Sequence, residues 1–271
     1  MARRVLLTGA SSGIGEATVE RLLEAGWEVI ATGRRPEDLA RLEAKGCTAI
    51  ELDLKERDTI PAVAREILEL GPLDAVVHNA GVGVPGAIED LTPDAWEKQF
   101  QVNVFGTLEL TRCLVPAVRE RKGRFVFISS QAALLALPLY AAYCGSKRAL
   151  EAAADALRME LAPDGVKVVI VEPGPVTTPF HDRAESQRAR YVDEEGSRHE
   201  GDYEAMDRAI TESVTGKVPP EAVADAVYRA LTRRWVPARM HVGKLTWFGT
   251  MLARLLPSGL RDRVVRRSMG L

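Results

Sequence analysis

A chain of 271 residues, 46% apolar and 27% charged, is long enough for one sizeable α/β domain with a solvated surface. A formal net charge of −2, with no dominant block of like charge, gives no reason to expect a nucleic-acid partner. The first apolar run meets glycine too early for a secretory leader, no uninterrupted apolar stretch would span a bilayer, and Cys47, Cys113 and Cys144 lack metal-ligand spacing, so a cytoplasmic protein with reduced thiols and no metal is expected.

In chain order, a strand is predicted over Arg3–Thr8 and a helix over Gly13–Ala25. Next come a strand at Glu28–Thr32, a helix at Pro36–Lys45, a strand at Cys47–Leu52 and a helix at Glu56–Leu70. The series continues with a strand at Leu73–Asn79, a long helix at Asp94–Arg121, a strand at Gly123–Ser129, a helix at Ala141–Leu161 and a strand at Val166–Glu172. Residues 180–218 are polar, with no clear period beyond a helix at Tyr203–Ser213, and read as a substrate lid. A helix at Pro220–Arg233, a strand at Ala238–Val242 and an amphipathic extension over 244–271 complete the chain. Pro36 and Pro220 suit first helical turns, and Gly26, Gly46, Gly71 and Gly165 suit helix ends. Most strands are apolar throughout, the pattern of strands covered on both faces. Repeated βα alternation therefore predicts one α/β domain over 1–271: a doubly wound parallel sheet of about seven strands, flanked by helices on both faces, with a C-terminal helical extension.

TGASSGIG sets Gly9, Gly13 and Gly15 between a buried strand and a helix. Glycines there allow a tight turn and close approach of backbone to a pyrophosphate, while the helix start offers free N–H groups and a positive dipole end. At the tip of the second strand Gly33 stands where a carboxylate would bind ribose hydroxyls and repel a 2′-phosphate; Arg34 and Arg35 follow. A guanidinium matches a phosphate in shape and charge, and cations are unfavourable beside a helix N-terminus without such a reason. NADP(H) is therefore preferred over NAD(H), which stays possible. Asp53 reads either as an N-cap for the helix near Glu56 or as an adenine contact.

Tyr143 and Lys147 are four residues apart and share a helix face. Together with TGASSGIG, the motifs HNAG (His78–Gly81), Asn103 in QVNVFG, ISS (Ile128–Ser130), YCGSK (Tyr143–Lys147) and EPGPVTTPF (Glu172–Phe180) stand in the order and approximate spacing of the short-chain dehydrogenase/reductase family, which the chain resembles. The wording of YCGSK and GPVTTPF is most similar to the branch with steroid and retinol dehydrogenases. The resemblance implies a single Rossmann domain that interconverts a carbonyl and an alcohol by hydride transfer. It implies Tyr143 as general acid/base, Ser130 steadying the substrate oxygen, Lys147 lowering the phenol's pKa while gripping the nicotinamide ribose, and Asn103 holding a water. The cofactor set it implies is Gly9, Ser11, Ser12, Gly13, Ile14, Gly15, Arg34, Arg35, Asp53, Leu54, Asn79, Ala80, Gly81, Tyr143, Lys147, Pro173, Gly174, Val176 and Thr178. Thr177 is the neighbour onto which the last assignment could slip.

Beside these, Tyr140 reads as packing or pocket wall, Ser129 as satisfying backbone, and His78 as a structural residue between strands. A cofactor-binding sensor or scaffold, and an isomerase or dehydratase, are the competing function classes. In the tail, Trp247, Phe248, Met251, Leu252, Leu255 and Leu256 form an apolar stripe followed by Arg261, Arg263, Arg266 and Arg267. Packing on the domain or a second subunit is expected of it, with peripheral membrane contact the alternative. A small carbonyl or alcohol substrate of apolar character is expected. By family analogy a homodimer or homotetramer would pair through the helices near Asp94–Arg121 and Ala141–Leu161.

Overall fold

The apolar runs form seven strands: β1 (Arg4–Leu7), β2 (Glu28–Gly33), β3 (Thr48–Glu51), β4 (Ala75–His78), β5 (Arg124–Ile128), β6 (Lys167–Pro173) and β7 (Arg239–Val242). The computed structural model describes residues 2–214 and 218–271. All strand pairs are parallel, and the order across the sheet is β3-β2-β1-β4-β5-β6-β7. The fold is thus the doubly wound Rossmann type. The chain runs outward from β1 to β3 and then returns to lay β4 on the other side of β1. At such a reversal the helices diverge to opposite faces and leave a crevice beyond the strands' carboxyl ends.

Alternation within β1 shows how both faces are covered. Val5 and Leu7 pack with α1 (Gly13–Glu24) and α9 (Pro220–Thr232) through Val19, Leu22, Val223 and Val227. Leu6, between them, points into the opposite core with α3 (Ile60–Glu69), α5 (Thr107–Glu120) and α6 (Ala141–Leu161) through Ile67, Leu114 and Leu150. Continuous apolar strands are therefore required: each side chain enters one of two cores. The second helix, α2, covers Pro36–Ala44 with its proline in the first turn, and Gly165, after the end of α6 and a short 3-10 turn, takes a left-handed φ of +78°.

Three expectations are corrected. The run Asp94–Arg121 is not one uniform helix: α4 (Pro93–Phe100) passes through a wide π turn at Gln101–Gly106 before α5 begins. Gly106 is pressed against the carbonyl oxygen of Leu54, a contact no side chain would permit, so tertiary packing fixes this widened turn. The helix expected at Glu56 opens instead as a 3-10 turn at Arg57–Thr59, with Pro61 in the first turn of α3. In the lid, α7 (Phe180–Tyr191) exists where no period was visible, and α8 is longer than expected, covering Glu200–Val214. Helix α7 buries only Ala184 and Arg188. The Arg188 guanidinium is satisfied by Asp207 on α8, at 2.8 and 2.9 Å, and by Glu194 at 2.9 Å. An ion-paired contact of this kind leaves no apolar stripe to read. Residues 215–217 of the expected lid lie outside the described residues.

The tail forms α10 (Lys244–Leu255) and α11 (Ser258–Ser268). Of the expected stripe, Trp247, Met251 and Leu256 are half-buried while Phe248, Leu252 and Leu255 are exposed, so only part of it packs on the domain; beyond it, Val265 and Met269 are buried. Among the described residues no helix is long and apolar enough to cross a membrane.

Candidate active site

The glycine turn leaves β1 at Thr8 and enters α1 at Gly13. Gly9 and Gly13 take left-handed φ of +65° and +56°, and a side chain at Gly15 would collide with the carbonyl oxygen of Gly9. Asn79, just past β4, locks this shape: its amide donates to the carbonyl oxygens of Thr8 (3.0 Å) and Gly9 (2.9 Å). The Thr8 hydroxyl in turn accepts the N–H groups of Asn79 and Ala80, each at 3.1 Å. Ser12 makes no side-chain cap at the start of α1, so the first N–H groups keep their capacity for an anion. Across the turn, Thr178 comes within 2.9 Å of where a Gly13 side chain would begin, whereas the Thr177 N–H donates to Val218 at 3.1 Å. Thr178 is thus the threonine that faces the turn. Pro173 ends β6, the Gly174 N–H donates to Val242 at 2.9 Å, and Val176 is buried in the core beside α9.

Arginines gather at the tip of β2. Arg34, largely exposed, stands 3.8 Å from Asp53. Arg35 donates to the buried carboxylate of Asp38 at 2.8 Å, and Arg41 pairs with the same carboxylate. Asp38 therefore explains how cations are tolerated at the start of α2, a reason other than the phosphate contact invoked from sequence. Arg41 also donates to the carbonyl oxygen of Ser11, at 3.3 Å, which brings its guanidinium to the glycine turn. The sequence reading missed Arg41; its signal was the repeat of Arg35, Asp38 and Arg41 at intervals of three. Asp53 is not a helix cap: its carboxylate accepts the Lys55 N–H (2.9 Å) in a local turn. Leu54 points into the core while its carbonyl abuts Gly106.

The other candidate residues meet around the start of α6. Ser130 caps a 3-10 turn by accepting the Ala132 N–H (3.1 Å), which leaves its hydroxyl hydrogen for the neighbouring Tyr143 phenol. Tyr140 is buried and meets the Tyr143 ring edge-on at 6.0 Å, while Phe180, the first residue of α7, lies over that ring at 5.6 Å. Burial pushes the Tyr143 phenol up to about 12, and the Ser130 hydrogen bond only partly opposes it. Lys147 lies one turn on, its Nζ 5.9 Å from the Tyr143 ring centroid, and donates to the Ile128 carbonyl at 2.8 Å. Burial lowers this ammonium to about 8, and the Glu151 carboxylate offsets part of the fall. Desolvation is the largest influence on both groups.

Asn103 sits in the π turn, not in a regular helix. Its amide donates to the Val82 carbonyl (3.0 Å) and the Ser146 hydroxyl (3.1 Å), and its oxygen accepts the Val82 N–H (2.9 Å). Those bonds engage the side chain with protein, so it clamps the loop after β4 to α6. Gln99, one turn earlier, does the same: it accepts the Val84 N–H at 2.8 Å and donates to Val82 at 2.7 Å. Gln99 also went unread, although two amides four apart on one helix face were the available signal. Gly81 carries the loop past Asn103 Oδ1 and Lys147 Nζ, at 3.4 and 3.5 Å from where a side chain would start.

Ser129 departs from expectation. Its hydroxyl donates to the buried Glu151 carboxylate at 2.6 Å instead of to backbone. Glu151 and Glu172 both bind Arg239, at 2.7 and 2.8 Å, and Asp155 completes the group. His78 keeps its structural role, 3.0 Å from the Thr111 hydroxyl and stacked on Phe127. Burial holds it neutral, with a pKa down at about 3. Beside Tyr143 an apolar wall forms from Leu139, Tyr140, Cys144, Tyr203, Met206 and Met269.

The family model described as short chain dehydrogenase matches residues 3–189. The chain is 36% identical over 269 residues to an uncharacterized oxidoreductase of Escherichia coli K12, YbbO, covering 98% of this chain and 95% of that protein. It is 31% identical to an NADPH-dependent 3-dehydrocapnine reductase of Ornithobacterium rhinotracheale, covering 98% and 97%. Among solved structures, a short-chain dehydrogenase/reductase of Burkholderia phymatum in complex with NAD superposes with a TM-score of 0.80 over 93% of each chain at 25% identity.

Proposed function

Because the chain belongs to the short-chain dehydrogenase/reductase family and is an NAD(P)-dependent oxidoreductase of carbonyl and alcohol groups, we propose that it reduces apolar carbonyl compounds with NADPH, Tyr143 acting as general acid. The placement of Lys147 Nζ 5.9 Å from the Tyr143 ring, at the carboxyl end of the sheet, is the observation that carries this reading.

The glycine turn fits a dinucleotide. Its uncapped helix start and close-packed glycines would hold the pyrophosphate through Gly9, Ser11, Ser12, Gly13, Ile14 and Gly15. Arg34, Arg35 and Arg41 would take the 2′-phosphate, Asp53 and Leu54 would border the adenine, and Asn79, Ala80 and Gly81 would line the ribose. Pro173, Gly174, Val176 and Thr178 would border the nicotinamide. When bound, the nicotinamide supplies hydride to the carbonyl carbon.

The chain's own residues handle the oxygen. In the reductive direction Tyr143 Oη would give its proton to the oxygen as negative charge builds there. The Ser130 hydroxyl donates a hydrogen bond to the same oxygen. Lys147, close to Tyr143, would hold the ribose hydroxyls and restore the phenol's proton through them. Asn103 and Gln99 keep the loop at Val82–Val84 and the start of α6 in register. The apolar wall around Met206 and Met269 supports an apolar substrate, and the related 3-dehydrocapnine reductase is named as NADPH-dependent.

The test is NADPH consumption over a panel of aldehydes and ketones of rising chain length, with Tyr143→Phe alongside. Turnover that grows with chain length and falls by about 10²–10⁴ in the variant, with NADPH affinity retained, is expected. Undiminished turnover in Tyr143→Phe would refute the role of the phenol.

A further inference from the structure

Helices α10 and α11 turn large apolar side chains to solvent. In α10, Phe248, Leu252 and Leu255 recur at helical spacing and are 63%, 54% and 82% exposed. In α11, Leu260 and Val264 stand one turn apart, 48% and 45% exposed. The same helices are seated on the domain by other faces, through buried Thr250 in α10 and buried Val265 in α11. The outward residues are therefore additional to the packing contact, not its frayed edge.

Charge narrows what could cover them. Segment 244–271 holds six Lys and Arg against the single carboxylate of Asp262, in a chain whose net charge is −2. Arg254, Arg263, Arg266 and Arg267 are exposed, and among the described residues none pairs with a carboxylate. A second copy docking by a two-fold contact would bring these arginines against themselves. Apolar side chains interspersed with arginines are instead what a helix needs to lie in the boundary of an anionic bilayer, chains inserted and guanidiniums at headgroup level.

We propose that the outer face of α10 and α11 docks on anionic membrane surfaces. Position adds to composition. Met269, directly after α11, packs with Tyr140, Cys144 and Met206 in the apolar wall beside Tyr143. A bilayer against the outer side of α11 would thus lie about one helix diameter, ~10 Å, from that wall. Docking does not depend on the redox chemistry, so each can fail without the other.

The full chain is sedimented with vesicles of phosphatidylcholine alone and of phosphatidylcholine mixed with phosphatidylglycerol. Retention on the anionic vesicles only, reversed by about 0.5 M salt, is expected. Leu252→Glu/Leu255→Glu should lower the bound fraction on the order of tenfold or more. Arg263→Gln/Arg267→Gln should lower partitioning about fivefold per arginine. Circular dichroism and NADPH affinity of both variants should match the parent; if a variant is unfolded, the lipid and salt dependence of the parent decides. No retention on anionic vesicles, equal retention on neutral ones, or retention unchanged in both folded variants would overturn the proposal. So would a lipid-free dimer that dissociates on Leu252→Glu/Leu255→Glu, which would make a second copy the occupant. NADPH consumption with a soluble aldehyde, read without vesicles, reports separately on the oxidoreductase reading.

Discussion

Lys147 and Tyr143 stand one helical turn apart, with Nζ 5.9 Å from the phenol ring centroid, yet the ammonium donates to the Ile128 carbonyl at 2.8 Å. Burial holds Lys147 at about 8, below the usual 10.5, and lifts Tyr143 to about 12. A lysine whose folded pKa is depressed binds its proton more weakly folded than unfolded. The cost of burying the charge is present below about pH 8 and is relieved as pH rises toward 10.5. Wild-type protein should therefore gain roughly 2 kcal/mol of stability relative to Lys147→Met between about pH 8 and 10. Urea denaturation of both at several pH values checks this; parallel pH profiles would mean that Lys147 is not desolvated.

At the β2 tip, Arg41 reaches both Asp38 and the carbonyl of Ser11, while Arg34 pairs loosely with Asp53. If three guanidiniums serve a 2′-phosphate, removing one should weaken NADPH and spare NADH. Arg34→Ala and Arg41→Ala should each cost about 1.5–3 kcal/mol in NADPH affinity, a factor of about 10–150. Titration calorimetry with both cofactors reads the difference. Equal losses would leave the ion pairs with Asp53 and Asp38 as the whole purpose of Arg34 and Arg41.

What was legible in the chain was what repeats locally. Strands that enter two cores, such as Val5–Leu7, must be apolar throughout, and the four-residue interval of Tyr143 and Lys147 fixes them to one face wherever that helix lies. The π turn was illegible because it depends on Gly106 meeting the Leu54 carbonyl, a contact between segments far apart in sequence. Helix α7 was illegible because Arg188 is buried through ion pairs to Asp207 and Glu194, and a polar core contact looks like solvent-facing sequence. Ser129 was misread for a similar reason: its carboxylate partner, Glu151, lies on another element.

Gln99 tests the clamp between the loop after β4 and α6. It is fully buried and bonds to Val82 and Val84, with a further bond to Ser146 at 3.3 Å. Gln99→Leu would strand the Val84 N–H in the interior, an unsatisfied donor that costs about 1–3 kcal/mol. Chemical denaturation should show that loss. Turnover should fall more than NADPH affinity, since the loop and the helix carrying Tyr143 lose their shared anchor. A variant as stable and active as the parent would make the clamp incidental.

The last prediction concerns Arg239, whose guanidinium joins Glu151, Glu172 and Asp155 beneath the site. Glu151 and Glu172 are both buried, and each repels the other's charge. Arg239→Met would leave two carboxylates in the interior without their common cation, so a loss of about 3–5 kcal/mol is expected. Removing one charge as well relieves the repulsion, so Arg239→Met/Glu151→Gln should be more stable than Arg239→Met alone. The sign of that coupling is the informative quantity, because a cavity or packing defect from Arg239→Met would not be repaired by an isosteric change at Glu151. Ser129 gives a second readout: Glu151→Gln keeps an acceptor for its hydroxyl, 2.6 Å away in the parent, so the β5 end next to Ser130 should stay in place. Turnover should then survive Glu151→Gln better than Glu151→Leu. A thermal or urea cycle across these four proteins decides the matter, and strictly additive losses would show that the cluster does not act as a unit.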